Sequence, residues 1–342
     1  MRAMLWTLTL LLSLTAVSQA AAQPRLRALD VPAANAWQHA QTQMILPPEA
    51  AGFARREIGD LGEDEMDVVA QYAGPDGMVA TVYLFRTAVR DASLWFDRAT
   101  AMIALRPEYG LAGVALPAPT SFTRPGASVA SGLRLSLDLP GGEWRSTALA
   151  LAPLGDHLLK IRFSSTRLDR AALDERLTRF VEALRWPAPP ANERPVAVVQ
   201  PCAEPLRLRN ARVLRADMSD TLMDAIMAVP IEGNPEQPPP VYCREPGATL
   251  QYGVYRPNGS RLAYLIALND AGIALSLSEA ANLSALLGEG SGRRRISMTL
   301  LGRNMTSMLP SFNRLPPPAQ AMSVAFGNSG SVISVTTDEP RN

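Results

Sequence analysis

The sequence predicts an α+β protein of two domains, each an antiparallel sheet with helices packed on it. Three observations carry this. Leu133, Leu135, Leu137 and Leu139 alternate with Arg134, Ser136 and Asp138, the period-two pattern of a strand with one buried face, and two further strands follow it. Two amphipathic segments begin at aspartates, Asp91 and Asp169, that can cap helices. Between Trp186 and Pro201 five prolines interrupt any regular pairing, and the chain divides into halves of similar length. The boundaries read as residues 1–22 for a signal peptide, 23–43 for a loosely ordered segment, 44–186 for the first domain, 187–201 for the linker and 202–342 for the second domain.

In residues 1–22, Arg2 precedes an apolar core from Leu5 to Val17, and Ser18, Gln19 and Ala20 offer a small-residue cleavage site. That pattern is a secretory leader, too short for a membrane span. No later stretch is apolar enough to cross a bilayer, so the expected address is periplasmic or extracellular. Cys202 and Cys243 are the only cysteines. In an oxidising compartment they are expected to pair, closing a loop of about forty residues and contributing roughly 4 kcal/mol on the chain-entropy model. With 33 basic and 32 acidic residues, the formal charge is +1. A balanced charge disfavours nucleic acid as a partner.

Ala33 to Gln43, with Trp37 and His39, reads as a short helix. Met66 to Tyr72 alternates, and after a turn at Gly74–Gly77 the strand Val79 to Phe85 is apolar at both parities. Such a strand is buried on both faces and belongs in the middle of a sheet. A helix from Ala92 to Arg106 stops at Pro107. The meander then runs through Leu133–Leu139, Trp144–Leu151 and His157–Ser164. The final helix of this half places Leu173, Leu177, Phe180, Val181 and Leu184 on one stripe.

In the second half Thr249–Tyr255 and Arg261–Leu268 flank a turn at Pro257–Gly259. Ser278 is expected to cap a helix ending at Leu287, Arg294–Leu301 to form a strand, and Met322–Phe326 with Val332–Thr336 a last hairpin. The order parallels the first half and reads as an internal duplication with a truncated second copy.

Leu46, Pro47, Pro48, Gly52 and Phe53, then Tyr72, the strand Thr81–Leu84, the run Ile161–Phe163 and the closing Trp186–Pro187 together resemble exported proteobacterial proteins of unknown function. Their order is similar to the PsbP-like α/β/α sandwich. The resemblance implies a non-catalytic binding or assembly role and carries over no site residue.

Chemistry-bearing motifs are sparse. No metalloprotease helix, nucleophile elbow or phosphate loop is present. His157 shares parity with Leu159, Ile161 and Phe163 and reads as a half-buried structural residue, while His39 has no evident partner. Lys160, the sole lysine, reads as an outward strand residue. The acidic run Glu63, Asp64, Glu65 and Asp67 matches no calcium loop and reads as a solvated turn. Arg293, Arg294 and Arg295 follow Gly288, Gly290 and Gly292 and are the candidate anion site, weighed against charges guarding an edge strand. No catalytic residue, metal or cofactor is expected. The functional expectation is an exported binding or assembly module for a protein or small molecule; the alternatives are a secreted hydrolase with dispersed carboxylates and an envelope structural protein.

Overall fold

The structure is a computed structural model that describes residues 26–62, 64–214, 239–280 and 295–327 and the backbone of 333–336. In chain order its elements are β1 (Arg27–Ala28), β2 (Trp37–Gln38), β3 (Ile45–Leu46), β4 (Glu49–Ala50), β5 (Phe53–Asp60), β6 (Asp67–Ala73), β7 (Val79–Arg86), α1 (Ala92–Ala104), β8 (Thr120–Phe122), β9 (Gly132–Asp138), β10 (Ser146–Leu154), β11 (His157–Ser165) and α2 (Arg170–Ala183). The second half adds β12 (Gln200–Pro201), β13 (Tyr242–Arg244), β14 (Tyr252–Pro257), β15 (Tyr264–Leu268), β16 (Ile273–Glu279), β17 (Ile296–Leu301), β18 (Met305–Phe312), α3 (Pro318–Phe326) and β19 (Ile333–Thr336). The α+β class is thus as expected, with strands predominating.

One sheet runs β1-β5-β6-β7-β11-β10-β9-β8, with β4 also on β5, and β7 lies at its centre as its two apolar faces require. Ala80, Val82 and Leu84 of β7 join a cluster with Phe53, Tyr72, Phe163 and the α2 stripe Leu173, Leu177, Phe180 and Val181. Phe180 meets Phe53, Tyr72 and Phe163 edge-on, with ring centroids 5.1–5.5 Å apart, the arrangement favoured by aromatic quadrupoles. Both helices start as their sequences specify. Asp91 accepts from Leu94 N at 2.7 Å and Asp169 from Ala172 N at 2.9 Å.

The opposite face of this sheet, with Phe85, Leu135, Leu149 and Leu158, is covered by Trp95, Phe96 and Ile103 of α1 and by Tyr255, Leu265, Ala267 and Ala274 of the second sheet. That sheet is a meander in strict order from β12 to β19, antiparallel except for the β12–β13 pair. Its far face packs on α3 and on Leu206 and Leu208. The two halves therefore share a core. Polar contacts seal the same seam: buried Arg98 donates to Asn269 O and Leu250 O, both at 2.7 Å, and Tyr255 donates to Asp97 at 2.9 Å. Lys160 is buried here, not outward. Its ammonium meets Asp270 at 2.7 Å and lies 4.3 Å from the centroid of the Tyr83 ring.

Several expectations are corrected. Ala33–Gln43 contains β2 and a turn, because Trp37 pairs with Leu46 across a short ribbon. Strand β5 goes unpredicted: charged Arg55, Arg56 and Glu57 mask its period, and a bulge falls between Arg55 and Glu57. Ser278 lies within β16, paired with Ser297, rather than capping a helix; residues 281–287 lie outside the described residues. Met322–Phe326 belongs to α3, started by Pro318 in its first turn, and β19 pairs with β18. The sheet orders of the two halves differ, so the topology does not bear out the duplication. Residues 1–22, expected to form a leader, lie outside the described residues.

Cys202 and Cys243 are joined, with Cα atoms 4.9 Å apart. The bridge fastens the end of the linker to β13, beside the parallel pairing of Gln200 with Cys243.

A shared core should unfold as one unit. Leu265→Ala, made in the second sheet, is expected to cost about 2–5 kcal/mol and to lower the midpoint of the near-ultraviolet signal of Trp95 in the first. Calorimetry resolving two separate transitions would show that the sheets fold independently.

Candidate functional site

The proline-rich stretch joins the two sheets, but it is fastened rather than free. Arg124, with its side chain fully buried, donates from Nε to Glu193 Oε1 at 3.0 Å and from Nη1 to Pro187 O at 2.9 Å. Ser131 Oγ donates to the same Glu193 oxygen at 2.7 Å, and Val196 N donates to Ala130 O at 3.0 Å. So held, Pro187, Ala188 and Pro190 become one wall of a cleft of about 980 Å³. The other walls come from the end of β7 (Arg86), the β10–β11 turn (Leu154, Gly155, Asp156, His157), the β2–β3 connection (Ala40, Gln41, Thr42) and the turn before β6 (Asp64, Glu65). The cleft opens where the apolar cover of the first sheet runs out: His157 continues the inward parity of Leu159 and Ile161 and stands opposite Arg86 across the β7–β11 ladder.

Both histidines of the chain gather here. His39 is fully buried; its Nε2 bonds Glu65 O at 3.0 Å, which fixes that nitrogen as the protonated donor. Nδ1 is then the acceptor for Thr42 N at 3.1 Å and for the Thr42 hydroxyl at 2.9 Å. The hydroxyl accepts in turn from Met44 N at 3.3 Å. This is a turn closed by side chains, with the Thr42 hydroxyl taken up by the backbone. The His157 ring meets His39 edge-on, centroids 4.9 Å apart, and its Nε2 is buried without a hydrogen-bond partner. Burial, with smaller contributions from His39 and Arg86, pushes the His157 pKa down to about 3. Burial likewise lowers the pKa of His39. Both rings are therefore neutral at physiological pH.

Among the described residues three carboxylates line the cleft, and two of them, Asp156 and Glu65, are engaged. Asp156 takes Arg90 at 2.8 Å and Arg86 at 3.7 Å. Glu65 accepts from Ala40 N at 3.1 Å. Asp67 faces the other way and pairs with Arg303 of the second half, so the acidic run is split between two faces. Glu63 lies outside the described residues. Among the described residues no group of three or more potential ligands could hold a metal ion. On the cationic side, Arg27 and Arg86 line the cleft, and the Nη2 of Arg124 is buried with no acceptor in the protein. Such a group is costly to leave unmade.

Of the predicted arginine triplet, Arg293 and Arg294 lie outside the described residues, and half-buried Arg295 precedes β17. The structure does not bring Arg295 into the cleft lining. Sequence reasoning missed Arg124, which follows a Pro- and Ala-rich stretch and shares no period with its neighbours; Pro187 and Glu193, which it clasps, lie 63 and 69 residues away. No protein-family profile, curated protein or solved structure matches the chain.

The His157 environment has a pH signature. Its folded pKa lies below the ordinary 6.5, so between about 3 and 6.5 the unfolded chain binds a proton that the native state does not. Stability is fully present above 6.5 and falls as the pH drops, by up to about 1.4 kcal/mol per unit. Urea unfolding at pH 7 and pH 5 should show a larger loss for the parent than for His157→Phe. Parallel losses would mean that His157 titrates normally.

Proposed function

We propose that this chain is an exported, non-catalytic binding module, and that its polar cleft takes a small anionic ligand such as a carboxylate or phosphate compound. The observation that carries the reading is the buried, unpartnered Nη2 of Arg124 at the cleft wall. Arg27, paired with Asp60 at 3.3 Å, and Arg86, 3.7 Å from Asp156, also line the cleft, and His157 Nε2 is a second buried group without a partner. Guanidinium groups suit carboxylate and phosphate oxygens because their donors match them in pairs. The binding reading is preferred over a hydrolase because general acid–base work needs a group whose pKa lies near the working pH. Here both rings are held neutral, and two of the three cleft carboxylates, Asp156 and Glu65, are engaged.

Export is supported by the apolar leader pattern and by the Cys202–Cys243 disulfide, a bond that persists in oxidising compartments. None of the described helices is long and apolar enough to cross a membrane. The resemblance to PsbP-like proteins, on its residues between Leu46 and Pro187, agrees with a role in binding or assembly.

Inorganic phosphate, citrate and glutamate, each titrated into the full chain, provide the test. At least one should raise the melting temperature; a ligand at 100 times its Kd stabilises by about 2.7 kcal/mol. Arg86→Gln should weaken that ligand by about tenfold, the loss of one charge-assisted hydrogen bond. If none of the three anions shifts the melting curve, the reading fails.

A further inference from the structure

A second cavity lies away from the polar cleft, beneath α2. Its volume is about 340 Å³, within the range of small-molecule sites. Its origin lies in how the sheet ends. Helix α2 packs across β9 and β10, while the edge strand β8 is only three residues long and pairs with the first part of β9. The helix therefore overhangs a sheet that stops short. On the sheet beneath it, Ala150 is too small to fill the gap, and its partner across the ladder is Arg134 rather than an apolar residue. Leu177 and Val181 form the roof and Phe122 a side wall.

The Phe122 wall depends on Gly132, its partner in the β8–β9 register. A β-carbon at Gly132 would come within 2.4 Å of the Phe122 ring. Only a residue without a side chain lets the ring lie across the neighbouring strand.

One end of the slot carries the Arg134 guanidinium, and Glu182 also lines the slot. Arg134 donates from Nη1 to Thr178 Oγ1 and reaches Asp174 only at 3.6 Å, while its Nε is buried with no partner in the protein. Asp174 accepts from Ser136 Oγ through Oδ1 at 2.8 Å and faces Arg134 with Oδ2. An apolar slot with a guanidinium at its end is complementary to a molecule with a hydrocarbon body and one carboxylate. We infer that the slot between α2 and strands β8–β10 binds a carboxylate-headed amphiphile, such as a medium-chain fatty acid, with its chain on Ala150, Leu177, Val181 and Phe122 and its head at Arg134.

Octanoate and 1-octanol, which share a chain and differ in the head, are the probes, titrated calorimetrically into the full chain. Octanoate should bind more tightly than octanol by about tenfold, as expected for one hydrogen bond to a charged group. Arg134→Gln should bring octanoate down to the affinity of octanol and leave octanol unchanged. Val181→Phe, filling the slot from the helix, should abolish binding of both, and Thr178→Phe, on a half-exposed turn of α2, serves if the first variant does not fold. In the parent protein, nuclear Overhauser contacts should join octanoate methylenes to the Phe122 ring. No binding of octanoate, binding that survives a folded slot-filling variant, equal affinity for the two probes or absence of the Phe122 contacts would each overturn the inference. The slot and the polar cleft share no lining residue, so this result stands apart from the anion titration.

Discussion

Strand β7 alternates between two apolar sets, Ala80, Val82 and Leu84 on one side and Tyr83 and Phe85 on the other, and neither can be left in water. Its neighbours β6 and β11 inherit the same demand, so the first sheet needs two covers. On one side α2 and the N-terminal segment with Trp37, Met44 and Leu46 provide it. On the other, α1 covers only part, and the second sheet supplies Tyr255, Leu265, Ala267 and Ala274. Much of the remaining architecture follows from this need. The second sheet is a partner of the first rather than an appendage, and the linker is drawn taut along the seam, burying Val199.

The seam also accounts for the polar residues found there. Lys160 projects from β11 toward the second sheet, and an unpaired ammonium at that depth would be severely destabilising. Asp270, in the turn after β15, neutralises it; burial alone would raise the Asp270 pKa, but Lys160 and Arg162 outweigh it and hold the pKa below its ordinary value. Asp97 is similarly engaged by Arg244 and Tyr255, although burial is the dominant influence and raises its pKa. Pairs of this kind contribute little net stability against apolar replacements, but breaking one partner is costly. They fix the relative placement of the two sheets, since each pair joins one half to the other.

Both cavities lie where the cover over the first sheet is incomplete. The polar cleft forms where the N-terminal segment and the linker meet the ends of β7 and β11. The apolar slot forms where α2 extends past a short edge strand. Segment 122–125 contributes to both, with Phe122, Thr123 and Pro125 on the slot and Arg124 on the cleft. The wall between the two sites is thus a few residues of one connection.

The sequence alone determined the elements whose signals are local. The caps at Asp91 and Asp169, the α2 stripe, the leucine alternation of β9 and the two-faced burial of β7 all arise from spacing within one segment, and the structure retains each. The pairing of Cys202 with Cys243 was also legible, because the chain has no other cysteine. Only the tertiary structure decided what depends on distant partners. Charged β5 is a strand because β6 and β1 flank it. Met322–Phe326 is helical, since Pro318 starts a turn there and β18 takes β19 as its neighbour instead. Lys160 looks like an outward residue until Asp270, 110 positions later, comes to meet it. Arg124 carries no periodic signal, and its role exists only because folding brings Pro187 and Glu193 around it. Local patterns reflect local backbone geometry and burial parity; a site assembled from segments far apart in the chain leaves no such period to read.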